Sequence, residues 1–306
     1  MSRIFDALQR SGVEQAGVEY PDVISVITEI FETPKEAVPP PSEPVPQVPE
    51  VDLSTLNLPV EQLVTKKPAS QELGEFPSLN VSLTASSRLV FFTEHDSLAA
   101  EKFRFLGVRL RQIQQVRPLK KVLVTSTIPE EGKSFVSANL AGVLARRKQK
   151  VLLIEGDLRR PTISKLFGLG RLVGLAEWLQ SDHRKLTNVY RLNGPDFWLM
   201  PAGDPPANPL ELMQSGSLSQ LMEQLSTMFD WIIVDSPPLL PLADTTVWER
   251  MTEGTLLVAR EGKTEKAMLQ RGLQIVKESE LLGVVLNGCA TTHHSYYERY
   301  ASGPSK

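Results

Sequence analysis

The chain has 306 residues, 41% of them hydrophobic, enough to bury the core of one ordinary domain with extensions or of two small domains. A net charge of -3 leaves no general basic footprint and argues against nucleic acid as a partner, while the single cysteine, Cys289, rules out an internal disulfide and fits a reducing cytoplasm. Asp230, Asp235 and Asp244 break the most apolar region short of the roughly 18–20 residues that cross a bilayer, and the start, MSRIFDALQRSG, has no signal-peptide core, so any membrane role is expected to come through a partner.

Residues 1–31 are expected to form a short helical segment, with Ile4, Phe5 and Leu8 on one side of RIFDALQR, docking either on the domain or on a partner. From 32 to 86 the prolines crowd: Pro34, Pro39, Pro40, Pro41, Pro44, Pro46, Pro49, Pro59, Pro68 and Pro77 read as a disordered or polyproline II linker. Order is expected over 87–289. The run Leu89-Val90-Phe91-Phe92 reads as extended, and Leu98 to Ile113 as a helix burying Phe103, Leu106, Leu110 and Ile113, with Glu101, Arg104, Arg109 and Arg111 on its other face.

Next comes the strand Lys121-Val122-Leu123-Val124, the loop TSTIPEEGKS at Thr125 to Ser134, and a helical pattern from Phe135 to Arg146. A strand, a tight loop ending in Gly-Lys-Ser and a helix together make a phosphate-binding loop, because the N–H groups and positive dipole end of the helix attract a phosphate. Gly132 lets the backbone approach, Lys133 reaches β- and γ-phosphates, and the Ser134 hydroxyl is a Mg²⁺ ligand, which makes the expected ligand a Mg-nucleotide. The usual pattern begins with glycine where this chain has Thr127.

Beyond the loop, strands are expected at Val151 to Glu155, Phe197 to Met200, Trp231 to Val234, Thr255 to Ala259 and Val284 to Leu286, with helices including Ser217 to Met228 and Glu265 to Glu278. Short apolar strands alternating with amphipathic helices predict an α/β fold: a doubly wound, mainly parallel sheet with helices on both faces and the site along one edge. Two strands end in acids. The first runs into Glu155-Gly156-Asp157, whose carboxylates share a side if the strand stays extended and either hold Mg²⁺ or orient an attacking hydroxyl, or, for Asp157, cap the next helix. The second, Trp231-Ile232-Ile233-Val234-Asp235, ends in the aspartate of a Walker B arrangement.

With these residues in place, the chain from about Ser87 onward resembles the bacterial tyrosine autokinases, or BY-kinases, of exopolysaccharide and capsule synthesis. The resemblance rests on TIPEEGKS (Walker A), LLIEGDLRRP at 152–161 (Walker A′), PAGDPPANPLEL at 201–212, IIVDSPP at 232–238 (Walker B), LADT at 242–245, VAREGKT at 258–264 and GVVLN at 283–287. It implies a MinD/ParA-like P-loop domain that binds ATP and Mg²⁺. Catalysis would fall to Lys133, Glu155, Asp157 and Asp235, with Glu155, usually aspartate, facing the acceptor hydroxyl. Nucleotide contacts would come from Thr127, Glu130, Glu131, Gly132, Lys133, Ser134, Phe135 and Asn287, the last at the adenine, and metal binding from Ser134, Asp157 and Asp235.

Three of the five tyrosines, Tyr296, Tyr297 and Tyr300, lie in the tail 290–306, and the resemblance makes them the autophosphorylation sites; an ordinary polar tail is the other reading. The family's assembly motif ExxRxxR is matched by Glu101 and Arg104 but reads Gly107 at its third position. The resemblance further implies a homo-oligomer, a membrane activator of the chain-length-regulator type acting in trans, a cognate tyrosine phosphatase, and a cytoplasmic protein recruited to the inner face of the membrane. Two other functions share the fold: a ParA/MinD-type partition or positioning ATPase, whose early loop lysine is Ile128 here, and a nucleotide-binding scaffold without catalysis.

Overall fold

The structure is a computed structural model that describes residues 76–289, apart from 82, 84–88, 95, 147, 182–185, 241 and 278–279. The expected helical segment 1–31, nearly all of the proline-rich linker and the tail tyrosines lie outside the described residues. In chain order the elements are β1 (Ser78–Asn80), α1 (Val90–Thr93), α2 (Leu98–Val116), β2 (Lys121–Ser126), α3 (Lys133–Ala145), β3 (Val151–Glu155), α4 (Ile163–Leu166), α5 (Leu175–Gln180), β4 (Tyr190–Asn193), β5 (Phe197–Met200), α6 (Pro209–Met213), α7 (Ser217–Met228), β6 (Trp231–Asp235), α8 (Asp244–Glu249), β7 (Gly254–Arg260), α9 (Lys266–Ile275) and β8 (Leu281–Asn287).

The strands form one sheet in the order β1-β4-β5-β3-β6-β2-β7-β8, parallel throughout except for β4 against β5. Side chains along each strand alternate between its two faces. Val122, Val124, Val151, Leu153, Trp231 and Ile233 enter one core cluster, beneath α2 and α3. Leu123, Leu152, Ile154, Ile232 and Val234 enter a second, beneath α5 and α7. Both faces of the sheet are therefore covered, as the continuous apolar runs predict.

Two expectations are corrected. Leu89-Val90-Phe91-Phe92 is helical rather than extended: Phe92 and Thr93 donate back to the Leu89 carbonyl, and the Phe91 N–H donates to the buried Asn139 Oδ1 at 2.9 Å. A short apolar run carries no period that separates strand from helix. The proline-rich stretch also does not run as linker to residue 86, because Ser78–Asn80 pairs with β4 and Phe76 is buried against Phe229.

Helix α3 is buried nearly all round, as a helix apolar on every side must be, and its neighbours approach it closely. A Cβ on Gly107 of α2 would lie 2.4 Å from Val143 Cγ1, and one on Gly142 would lie 2.2 Å from the Phe92 ring. Position 107, where the assembly motif of the resemblance has arginine, thus faces the core rather than solvent. Glu101 and Arg104 lie on the exposed side and pair with each other. Gly107→Arg is expected to destabilise the fold by about 1–3 kcal/mol, the usual cost of overpacking. The shift in urea midpoint measures it, and Val143→Ala in the same chain should recover part of the loss.

Candidate active site

Register places the site. Asp235, at the end of β6, lies abreast of Val124 on β2 and of Glu155 on β3, so the phosphate loop and both acidic strand ends share one edge of three adjacent strands. The loop turns into α3 through Gly132, whose φ of 98° is a left-handed conformation that glycine adopts without strain. Gly132 has no side chain to cap the helix, which leaves its first N–H groups for an anion.

Around this helix start the polar side chains converge. Lys133 Nζ lies 3.1 Å from Asp157 Oδ2, with both side chains largely buried. The Ser134 hydroxyl donates to Asp235 Oδ2 at 2.6 Å, and the Ser137 hydroxyl donates to Asp235 Oδ1 at 3.2 Å. Burial pushes the Asp235 carboxyl up to about 6, against the pull of Lys133 and of the Ser134 hydrogen bond. Burial alone would lower the Lys133 pKa, but Asp235, Asp157 and Glu155 outweigh it and the ammonium is held above its usual range. The Thr162 hydroxyl, which no sequence motif singled out, donates to Ser134 Oγ at 2.8 Å.

These groups suit a Mg-nucleotide. An uncapped helix start and a buried lysine match phosphate oxygens, and a hydroxyl hydrogen-bonded to a buried carboxylate supplies oxygen donors for a hard cation. No cluster of three or more His, Cys, Asp or Glu side chains that could hold a metal occurs among the described residues, and Mg²⁺ needs none: one or two carboxylates complete its shell with substrate phosphates and water.

Several expected contacts are placed elsewhere. The Glu155 carboxylate, 1% exposed, accepts from the Ile163 N–H at 2.5 Å, the Ser164 hydroxyl at 3.0 Å and the Ala202 N–H at 3.2 Å. It ties the end of β3 to the start of α4 and to the residues after β5, doing the capping considered above for Asp157. Asp157 accepts instead from the Arg160 N–H and faces Lys133.

Glu131 is fully buried and accepts from the Ile128 N–H at 2.8 Å and from the Thr264 hydroxyl. Glu130 turns outward to Lys263 Nζ at 2.7 Å. Neither carboxylate meets the helix start, where it would repel a phosphate; they brace the loop against the VAREGKT segment. Asn287 Nδ2 donates to the Glu131 carbonyl at 2.9 Å and packs against Gly132. The Phe135 ring meets Phe103 edge-on at 5.7 Å, and Thr127 is buried beneath Gly272 of α9. Sequence reading also missed the bracing of the second acidic loop: Arg159 forks onto Asp244 at the start of α8, and Gly156 packs against the Trp248 indole, whose Nε1–H donates to the Gly156 carbonyl at 3.2 Å.

Glu155→Asp tests the bracing role. The shorter side chain cannot span all three donors, so stability should fall by about 1–3 kcal/mol in chemical denaturation.

Comparisons with known proteins agree with this geometry. Residues 118–301 match the ParA family model described as NUBPL iron-transfer P-loop NTPase. The chain is 34% identical over 216 residues to the tyrosine-protein kinase YwqD of Bacillus subtilis, covering 70% of this chain and 91% of that protein. It is 32% identical to the putative tyrosine-protein kinase CapB of Staphylococcus aureus, covering 67% of this chain and 90% of the relative. Of the longer tyrosine-protein kinase etk of Escherichia coli it spans 28%. Among solved structures, the kinase domain of Escherichia coli ETK superposes with a TM-score of 0.63 at 29% identity, covering 74% of this chain and 88% of that one. The chimerical protein CapA2B2 gives 0.61 at 27% identity, covering 69% and 93%. Motifs, sheet order and relatives converge: the chain belongs to the bacterial tyrosine-protein kinases, the BY-kinase family built on a P-loop NTPase fold.

Proposed function

We propose that the chain is a Mg-ATP-dependent protein tyrosine autokinase that phosphorylates Tyr296, Tyr297 and Tyr300 of a neighbouring copy and thereby regulates exopolysaccharide or capsule synthesis and export. The observation that carries this reading is the buried Lys133–Asp157 pair at 3.1 Å beside the Ser134–Asp235 hydrogen bond, at the uncapped start of α3. In the reaction the acceptor phenol oxygen bonds to the γ-phosphorus while the bond from that phosphorus to the bridging oxygen breaks. ADP leaves and the phenolic proton passes to solvent.

A free tyrosine, with a pKa near 10, is ionised in roughly one molecule in a thousand at neutral pH. The loose transition state of phosphoryl transfer asks little of a base, so positioning and charge carry the rate. Ser134, Asp157 and Asp235 would hold Mg²⁺, which supplies positive charge to the phosphoryl oxygens. Lys133 is kept charged by its aspartates for the same oxygens, and Glu155 holds the wall beside them rather than acting as a base.

A membrane activator of the chain-length-regulator type in trans is supported by the CapA2B2 chimera and CapB among the similar proteins, and no described helix is long and apolar enough to cross a membrane. We place the chain in the cytoplasm at the inner face of the membrane, assembled as a homo-oligomer and reset by a cognate tyrosine phosphatase. Each tail phosphate adds nearly two negative charges, which would repel the acidic site of a neighbour and loosen the assembly.

Phosphopeptide mass spectrometry after incubation with Mg-ATP tests the reading. Phosphate is expected on the tail tyrosines of the unchanged protein and about a hundredfold less on Lys133→Met, the loss typical when a transition-state charge contact is removed. Equal labelling of both proteins, or none in either with the activator's cytoplasmic segment added, would refute it.

A further inference from the structure

Helix α4 opens at Thr162, a residue type whose hydroxyl usually accepts from the first free N–H groups of the helix that follows it. Here it makes no such bond. The Glu155 carboxylate takes that place, accepting from the Ile163 N–H and from the Ser164 hydroxyl. The Thr162 hydroxyl is thereby released from its own helix, and it reaches Ser134 Oγ at 2.8 Å.

The direction of that bond follows from the protons present. A serine hydroxyl has one proton to give and two lone pairs to receive with. Ser134 gives its proton to Asp235 Oδ2 at 2.6 Å, so toward Thr162 it can only accept. One lone pair of Ser134 is then occupied by Thr162, and the other remains at the start of α3. With both neighbours in place the hydroxyl cannot turn freely about its C–O bond. An oxygen donor suited to a hard cation is therefore presented in one direction.

Thr162 is itself delivered with little freedom. The Gly156 N–H donates to the Asp235 carbonyl at 2.8 Å, the Arg160 N–H donates to Asp157 Oδ1 at 3.0 Å, and Arg159 forks onto Asp244. Pro161 restricts the backbone just before Thr162, and the branched side chain has few rotamers. Yet the residue as a whole is exposed. Water could serve its hydroxyl as well, so burial does not impose the contact with Ser134. Groups that orient a metal's ligands contribute to metal affinity without touching the ion.

We infer that Thr162 is a positioning residue for the divalent ion: its hydroxyl holds Ser134 with the proton on Asp235 and one lone pair left for the metal that accompanies the nucleotide. The role rests on the Mg-nucleotide reading above.

Calorimetric titration of ADP into the full-length protein, with and without Mg²⁺, tests it on two variants. Thr162→Val keeps the shape of the side chain and removes the hydroxyl, whereas Thr162→Ser keeps the hydroxyl. In the unchanged protein Mg²⁺ should strengthen ADP binding. In Thr162→Val that gain should shrink about fivefold, the factor that one hydrogen bond represents, while metal-free binding stays as it was. Thr162→Ser should keep the gain to within about twofold, having lost only the methyl that limits its rotamers. A gain undiminished in Thr162→Val, or ADP binding weakened equally with and without Mg²⁺, would reduce Thr162 to a brace of α4 and overturn the inference alone. If Mg²⁺ adds nothing in the unchanged protein, the Mg-nucleotide reading fails instead and takes the role of Thr162 with it. Melting temperatures equal to the parent's are expected, since the side chain caps no helix and is exposed; a variant that melts early is replaced by Thr162→Ala, for which the same selective loss of the Mg²⁺ gain is expected.

Discussion

Lys133 is the group on which the site depends. Buried carboxylates are costly unless paired, and Asp157 and Asp235 are both taken out of water within a few residues of an uncapped helix start. The lysine offsets them in place, and they in turn keep it protonated against the burial that would strip its proton. The same charges are those a nucleotide and a divalent ion would exchange on entering, so the free protein holds these groups in a provisional pairing. Breaking one member leaves an uncompensated charge inside, so a single substitution in this set is expected to be costly.

The pairing exists because three adjacent parallel strands end together. Asp235 and Glu155 are neighbours across β6 and β3, and β2 runs two residues beyond the level of Asp235 before the phosphate loop leaves it. Around that edge a second tier fixes the loops: Glu131 with Thr264, Asn287 with the Glu131 carbonyl, Arg159 with Asp244, and Glu155 with α4. Loops held by such hydrogen bonds, partly or fully out of water, keep donors aimed before a ligand arrives, which is what electrostatic catalysis requires.

Much of this was legible in the residue order. The apolar runs from Lys121, Val151, Phe197, Trp231 and Thr255 are the inner strands, since only a sheet covered on both faces admits such runs. Strands β1 and β4, reading SLN and YRLN, are short and polar and lie toward an edge, where no pattern marks them. The residues of the site were likewise visible, but not their directions. A strand period suggests that Glu155 and Asp157 point the same way, yet the strand ends at Glu155, and the free N–H groups of α4 and the turn after β5 draw that carboxylate aside. Spacing identifies a carboxylate; which donors lie within its reach is a property of the folded loops. Gly107 shows the converse, because a gap in a surface motif is a core contact once α2 lies on α3.

In this arrangement Lys133, Ser134, Asp157 and Asp235 would form one seat for a nucleotide together with its metal. Calorimetric titration of ATP with and without Mg²⁺, on the unchanged protein and on Asp235→Asn, addresses it most directly. Mg²⁺ is expected to strengthen binding about tenfold or more, roughly 1.4 kcal/mol, and the gain to disappear in the variant. Affinity indifferent to Mg²⁺, or a gain that survives the loss of the Asp235 carboxylate, would contradict it.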